Sequence, residues 1–206
     1  MSNPFDPGYY DENQLVKFGF GRLGRNVRIA KNCTLINLSE ILIGSNVRID
    51  GNTTIVAGPA QVTLNNFIHV GGGGYIIGGS GVVLEDFCNL SQGVRIYTRS
   101  DDFTRGAFTN PTVPKEYTNV TALPVVLRKH VVVGSGSVIL PGVTLEEGTA
   151  VGALSLVRKS TEPWGVYSGN PAIRISTRRQ INRDIEAKLL ATLSKNTGNP
   201  SDSLMG

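Results

Sequence analysis

The chain repeats every six residues. From Leu127 it reads LRKHVV, VGSGSV, ILPGVT, LEEGTA, VGALSL, VRKSTE, and every block opens on an aliphatic residue: Leu127, Val133, Ile139, Leu145, Val151 and Val157. A helix returns to one face about every 3.6 residues and a strand every 2. A period of six therefore fits neither as a simple amphipathic element. The same beat runs through Leu23, Ile29 and Leu35, through Ile43, Ile49 and Ile55, and through Leu84, Leu90 and Ile96. It slips at residues 36–42, 56–83 and 97–126, and these slips are expected to be loops that leave the body of the fold.

A second position in each six is restricted. Four residues after the aliphatic one stand Val27, Cys33, Val47, Thr53, Cys88, Val94, Val131, Ser137, Val143, Thr149 and Ser155, all small or β-branched. The positions between are rich in Gly, Asn, Asp and Ser, which favour turns. Short strand, turn, short strand is the result. Three such sides close a triangular coil, and stacked coils bury a continuous core. The expected class is all-β, a parallel β-helix, with the aliphatic residue inside and the small one near a corner. Cys33 and Cys88 occupy the small position and read as buried apolar residues rather than as a disulfide or zinc pair.

The repeat resembles the [LIV]-G-x4 hexapeptide of left-handed β-helix acyltransferases over residues 22–175. Leu23-Gly24, Ile43-Gly44, Val133-Gly134 and Val151-Gly152 keep its glycine, and GNPAIRI, Gly169 to Ile175, is similar to its closing motif. The resemblance implies left-handed coils, against the usual crossover rule. It also implies an acyl-coenzyme A co-substrate and a homotrimer with active sites between subunits. The expected organisation is an N-terminal segment, 1–20, the β-helix domain, 21–175, and a C-terminal helix and tail, 176–206. Ile181, Ile185, Leu189 and Leu193 recur every fourth residue, an apolar helix face. It is expected to pack on the prism or a neighbouring subunit, with the tail TGNPSDSLMG mobile.

Composition excludes several classes. No apolar run approaches the roughly 18 residues of a membrane span, and the first residues carry no secretory pattern, so a cytoplasmic protein is expected. A net charge of +4 without a basic run before TRRQINR gives no reason to expect nucleic acid. The zinc-dependent branch on this fold needs three His ligands, and the chain holds only His69 and His130. No metal is expected.

The longest slip contains a Pro- and Thr-rich stretch from Tyr97 to Pro124, and long loops in compact folds are commonly functional. In the acyltransferases that the chain resembles, the strand before this loop ends in a pattern like I-Y-T-x-x-H, whose His is the general base on an acceptor hydroxyl. Here it reads VRIYTRSDD, and Asp101 takes the His position. A hydroxyl attacks poorly unless a base removes its proton, and His suits that task. A neutral amine already carries a lone pair. Its ammonium product needs only somewhere to leave a proton: a carboxylate or the departing thiolate. Asp101 therefore favours an amino acceptor, the competing reading being that Asp101 and Asp102 form a solvated acidic turn. Ser91, just past inward Leu90, should face outward, where its hydroxyl either meets the acceptor amine or the tetrahedral oxygen or is an ordinary surface group.

By the same resemblance, the pantetheine arm of the coenzyme meets Ser135 of VGSGS and Ala153 of VGALS. Arg158 and Lys159 of VRKS, with Arg174 after the closing motif, meet its phosphates. Asn66, His69 and Tyr97 are the expected acceptor contacts, with a structural role for His69 left open; His130, at a turn position, reads as structural. The run Gly71–Gly74 reads as an excursion whose N–H groups could approach a nucleotide. These features resemble N-acyltransferases of dTDP-4-amino-4,6-dideoxyhexoses, which feed O-antigen and other surface glycans. Two other functions stay open: O-acetylation of a saccharide, and a trimeric scaffold without catalysis.

Overall fold

The structure is a computed structural model that describes residues 5–196. Three sheets of six, eight and six strands form the sides of a left-handed β-helix. Each strand pairs in parallel with the strand one coil away, except that Gly165–Ser168 meets Ile173–Thr177 antiparallel at the C-terminal end.

The six-residue beat is the core. Ile43, Ile49, Ile55, Leu84, Leu90, Ile96, Leu127, Val133, Ile139 and Leu145 point inward and are fully buried. The small position is also inside: Val143 is 2% exposed and Cys88 1%, while Cys33 is only half-buried. Burial pushes the Cys88 thiol up to about 12, so it behaves as a small apolar residue. The buried hydroxyls here bond to neighbouring coils, Ser137 Oγ to the Gly152 carbonyl at 2.8 Å and Thr149 Oγ1 to Thr161 at 2.8 Å. Hydroxyls so paired avoid the cost of burying an unsatisfied polar group. The motif glycine has a steric cause. A Cβ on Gly134 would lie 2.5 Å from the Ala153 nitrogen of the next coil.

Two of the three slips correct the sequence reading. Residues 56–83 do not leave the fold. Leu64, Val70 and Ile76 keep the beat and are buried, on strands Val62–Leu64, Ile68–Val70 and Tyr75–Gly78. The run Gly71–Gly74 is a corner of this coil, with the Gly71 nitrogen bonded to the Leu90 carbonyl at 2.7 Å. Residues 36–42 likewise stay in the fold, as a 3-10 turn, Leu38–Glu40, before the strand Ile41–Ile43. The reason is coil length. Leu42 pairs with Thr63 and Thr63 with Val83, steps of 21 and 20 residues, whereas Val126 pairs with Thr144 after 18. The surplus widens corners without breaking the stack. Of the three slips, only residues 97–124 leave the prism.

One edge is stapled by aromatic rings at corner residues of left-handed conformation. Phe67 stacks on Phe87 at 4.7 Å, Phe87 on His130 at 5.0 Å, and His130 lies 6.1 Å from Trp164. His130 is buried and its Nε2 meets Glu186 Oε2 at 3.0 Å, so its structural role holds. Lys129 also pairs with Glu186, which lies on the helix Arg183–Asn196. The helix thus docks on the prism, with Ile181, Ile185 and Leu189 lining a cleft against Phe87 and Val132. Its apolar face is incompletely covered: Ile185 stays 63% exposed. The tail expected at 197–206 lies outside the described residues.

Candidate active site

Ser91 follows the inward Leu90 and turns out at a corner. Its nitrogen bonds the Val133 carbonyl at 2.9 Å. One coil on, Ser135 occupies the same corner, its Oγ 3.4 Å from Gln92 Oε1; on the next, the Leu154 nitrogen bonds the Ser135 carbonyl at 2.9 Å beside Ala153. The glycine-like turns at Gly93, Gly136 and Leu154, φ +68°, +69° and +56°, keep these three corners superposed. The fold therefore brings Ser91, Ser135 and Ala153 onto one edge. Ser135 and Ala153 are exposed there, and Ser91 is partly so.

The arm at 97–124 is rooted at the next corner. Thr98 is buried, donating from Oγ1 to the Ile77 carbonyl at 2.9 Å and accepting the Ser80 N–H at 3.0 Å. The returning Leu123 nitrogen bonds the Thr98 carbonyl at 3.0 Å, and Arg99–Ser100 pairs antiparallel with Thr121–Ala122. The arm leaves and returns at one point, and Phe103, Phe108 and Tyr117 stand exposed on it.

The two carboxylates at the root differ. Asp102 Oδ1 accepts the N–H groups of Thr104 at 3.0 Å and Arg105 at 2.7 Å, and these backbone bonds hold its carboxyl below the usual range. It closes a turn. No hydrogen bond to the Asp101 carboxylate is formed among the described residues, and it lines a cleft of about 340 Å³ with Lys115, Asn110 and Thr118. A larger cavity, about 500 Å³, lies under the C-terminal helix beside Trp164 and Glu186 and belongs to helix docking.

The other expected site residues are dispersed. Tyr97 ends the strand Arg95–Tyr97, partly exposed, at the root of the arm. Arg158 and Lys159 are exposed just past the strand Leu156–Val157. Arg174 is ion-paired with Glu162 at 2.5 Å. Asn66 spends both polar atoms on a corner ladder, Oδ1 accepting the Ser45 N–H at 2.9 Å and Nδ2 donating to Asp86 at 3.1 Å. His69 stands on an unbroken strand, between Asp50 Oδ2 and Asn89 Oδ1, each 2.9 Å away. The sequence reading missed the cluster around Asp50. Its signal was the repeated NVRI of residues 26–29 and 46–49, which places Arg28 and Arg48 in register.

No family model matches the chain. It is 38% identical over 179 residues to dTDP-4-amino-4,6-dideoxy-D-glucose acyltransferase of Escherichia coli, covering 87% of this chain and 93% of that one. It superposes on AntD, an N-acyltransferase from Bacillus cereus solved with dTDP and 3-hydroxybutyryl-CoA, with a TM-score of 0.86 and 36% identity, over 91% of this chain and 98% of AntD. AntD has also been solved with dTDP-4-amino-4,6-dideoxyglucose and coenzyme A, as a variant of one serine; other variants alter an aspartate ten residues further on. On that identity and coverage, this left-handed β-helix belongs to the dTDP-4-amino-4,6-dideoxy-D-glucose acyltransferase family and is an acyl-coenzyme A-dependent sugar N-acyltransferase.

Proposed function

We propose that the chain acylates the 4-amino group of a dTDP-linked 4-amino-4,6-dideoxyhexose, with Asp101 and Ser91 at the reacting nitrogen. The observation that carries the assignment is the division of labour at the arm's root. Asp102 is consumed by a turn, while Asp101 presents a carboxylate without a hydrogen bond where an O-acyltransferase would carry His. The spacing of ten between Ser91 and Asp101 matches that of the serine and aspartate altered in AntD.

The chemistry follows. The free amine attacks the thioester carbonyl, and the Ser91 hydroxyl donates to the tetrahedral oxygen. The C–N bond forms, the C–S bond breaks, and the proton shed by nitrogen passes to the departing thiolate, with Asp101 holding the ammonium meanwhile. Ser135 and Ala153, stacked beyond Ser91 on the same edge, would carry the pantetheine, and Arg158 and Lys159 its phosphates. Arg174 reaches them only by leaving Glu162. Tyr97 would line the acceptor side of the arm's root. Asn66 would act through the corner it holds.

Ser91 and Asp101 lie at either end of one prism side, the strand Arg95–Tyr97 between them. Groups that serve one tetrahedral centre, Ser91 at its oxygen and Asp101 at its nitrogen, must both come within hydrogen-bond reach of it. A homotrimer meets that demand by setting the arm of one copy against the Ser91 edge of the next. The exposed Phe103, Phe108 and Tyr117 support this, since apolar side chains on an extended arm suit a covered surface. Sedimentation should give about three times 22.0 kDa. Among the described residues no helix is long and apolar enough to cross a membrane, and cytoplasmic acyl-coenzyme A is the proposed donor pool.

The test is kinetic. Asp101→Asn should fold and lose roughly 10²- to 10⁴-fold in turnover if Asp101 moves the proton. If it only orients the amine, the loss appears in KM for the amino sugar and not for the donor. Unchanged constants between pH 6 and 9 would remove Asp101 from the site.

A further inference from the structure

The eight-stranded sheet carries a column of side chains whose charge the transfer step does not use. Arg28, Arg48, His69 and Asn89 stand in register on four successive strands. Asp50 gathers three donors at the column's side: the Tyr9 hydroxyl at 2.7 Å, Arg48 Nε at 2.6 Å and His69 Nε2 at 2.9 Å. The Tyr9 ring lies under both guanidiniums, 4.4 Å from that of Arg28 and 5.6 Å from that of Arg48.

Two like charges on adjacent strands repel. Tyr9 and Asp50 hold them together nonetheless, and they do not cancel them. Asp50 is one carboxylate against two guanidiniums. Arg48 gives it only Nε, and Arg28 makes no ion pair or hydrogen bond among the described residues. Both guanidiniums are exposed, and the outer nitrogens of neither are spent on Asp50. Forks of this kind bind phosphate oxygens bidentately.

The column also lies in the right place. One residue beyond the paired Ile49, Val70 and Leu90 come Asp50, Gly71 and Ser91, aligned on three strands. Gly71 puts no side chain between the other two, and a Cβ there would lie 2.7 Å from the Gln92 nitrogen. At about 4.8 Å per strand, Arg48 is roughly 10 Å below the Ser91 coil and Arg28 about one strand further. In a hexopyranose the 4-amino group sits across the ring from the anomeric carbon. With that amine at Ser91, the ring spans the Gly71 slot, and the diphosphate on the anomeric oxygen falls at the arginines.

We infer that Arg28 and Arg48, held by Tyr9 and Asp50, grip the diphosphate of a nucleotide-linked acceptor. This rests on the acceptor class proposed above, and binding without turnover separates the two. Titration of dTDP alone into the wild type, Arg28→Ala, Arg48→Ala and the double variant should show affinity falling about tenfold or more per arginine, as for loss of a charged hydrogen-bonding partner. Coenzyme A affinity should be unchanged, which also reports folding, and inorganic pyrophosphate should compete with dTDP in the wild type. Undiminished dTDP binding by the double variant overturns the site while leaving the acceptor class intact. A wild type that binds coenzyme A but no dTDP overturns both.

Discussion

Asp101 and Asp102 are adjacent in the chain and opposite in commitment. Asp102 Oδ1 closes the turn onto Thr104 and Arg105, while the Asp101 carboxylate faces the arm's cleft. Substituting each should therefore give different phenotypes. Asp102→Ala removes the acceptor of two N–H groups and should speed proteolytic cleavage within 97–124, with a smaller loss of kcat/KM for the amino sugar than Asp101→Asn. Asp101→Asn should leave the cleavage rate unchanged. The reverse pattern would exchange their roles.

The body of the fold was legible because the hexad places one aliphatic residue inside per prism side, and nothing else in a short strand tolerates a charge there. The coil at 56–83 was harder to read. Leu64, Val70 and Ile76 keep the beat, but the wider corners at Gly58–Gln61 and Gly78–Gly81 shift its phase, and four glycines look like a break when they are a corner. Ser91 and Asp101 were visible from local pattern. The Tyr9 contact was not, since it joins the N-terminal segment to Asp50 across 41 residues. Nor was the aromatic edge, because Phe67, Phe87, His130 and Trp164 share a corner position that sequence alone does not mark as one line.

The interior register can be checked at Val143. It is 2% exposed at the small position. An unpaired ammonium there costs several kcal/mol, comparable with a typical total stability of about 5–15 kcal/mol. Val143→Lys should yield no cooperative melting transition, and a normal melt would show that the residue points outward.

Asp50 gives a pH-dependent signature. Burial pushes its carboxyl up, but hydrogen bonds from His69, Tyr9 and Arg48 outweigh this and hold it at about 2, below its ordinary 3.8. A depressed carboxyl stabilises the fold above its unfolded pKa, and that contribution fades as pH falls from about 4 toward 2. Asp50→Asn should lower the denaturant midpoint at pH 7, with the gap to wild type closing toward pH 2. A gap constant with pH would mean that the carboxylate's charge contributes nothing.

The C-terminal helix is held by Glu186. Hydrogen bonds from Lys129 and His130 keep its carboxyl low against a smaller opposing effect of burial. Glu186→Gln should therefore free the helix, seen as faster hydrogen exchange across residues 183–196 with the prism strands unchanged. The same loosening should appear in the wild type below the ordinary carboxylate range, and exchange indifferent to both would leave the apolar contacts as the only anchor.

The linkage formed in the product is the most direct check on an amine acceptor served by Asp101. Wild-type protein given acetyl-coenzyme A and dTDP-4-amino-4,6-dideoxyglucose should release the coenzyme thiol and form one new product. Its proton NMR spectrum should show an amide N–H coupled to the ring proton on the amine-bearing carbon. An ester on a sugar hydroxyl, or thiol release without any sugar product, would contradict it.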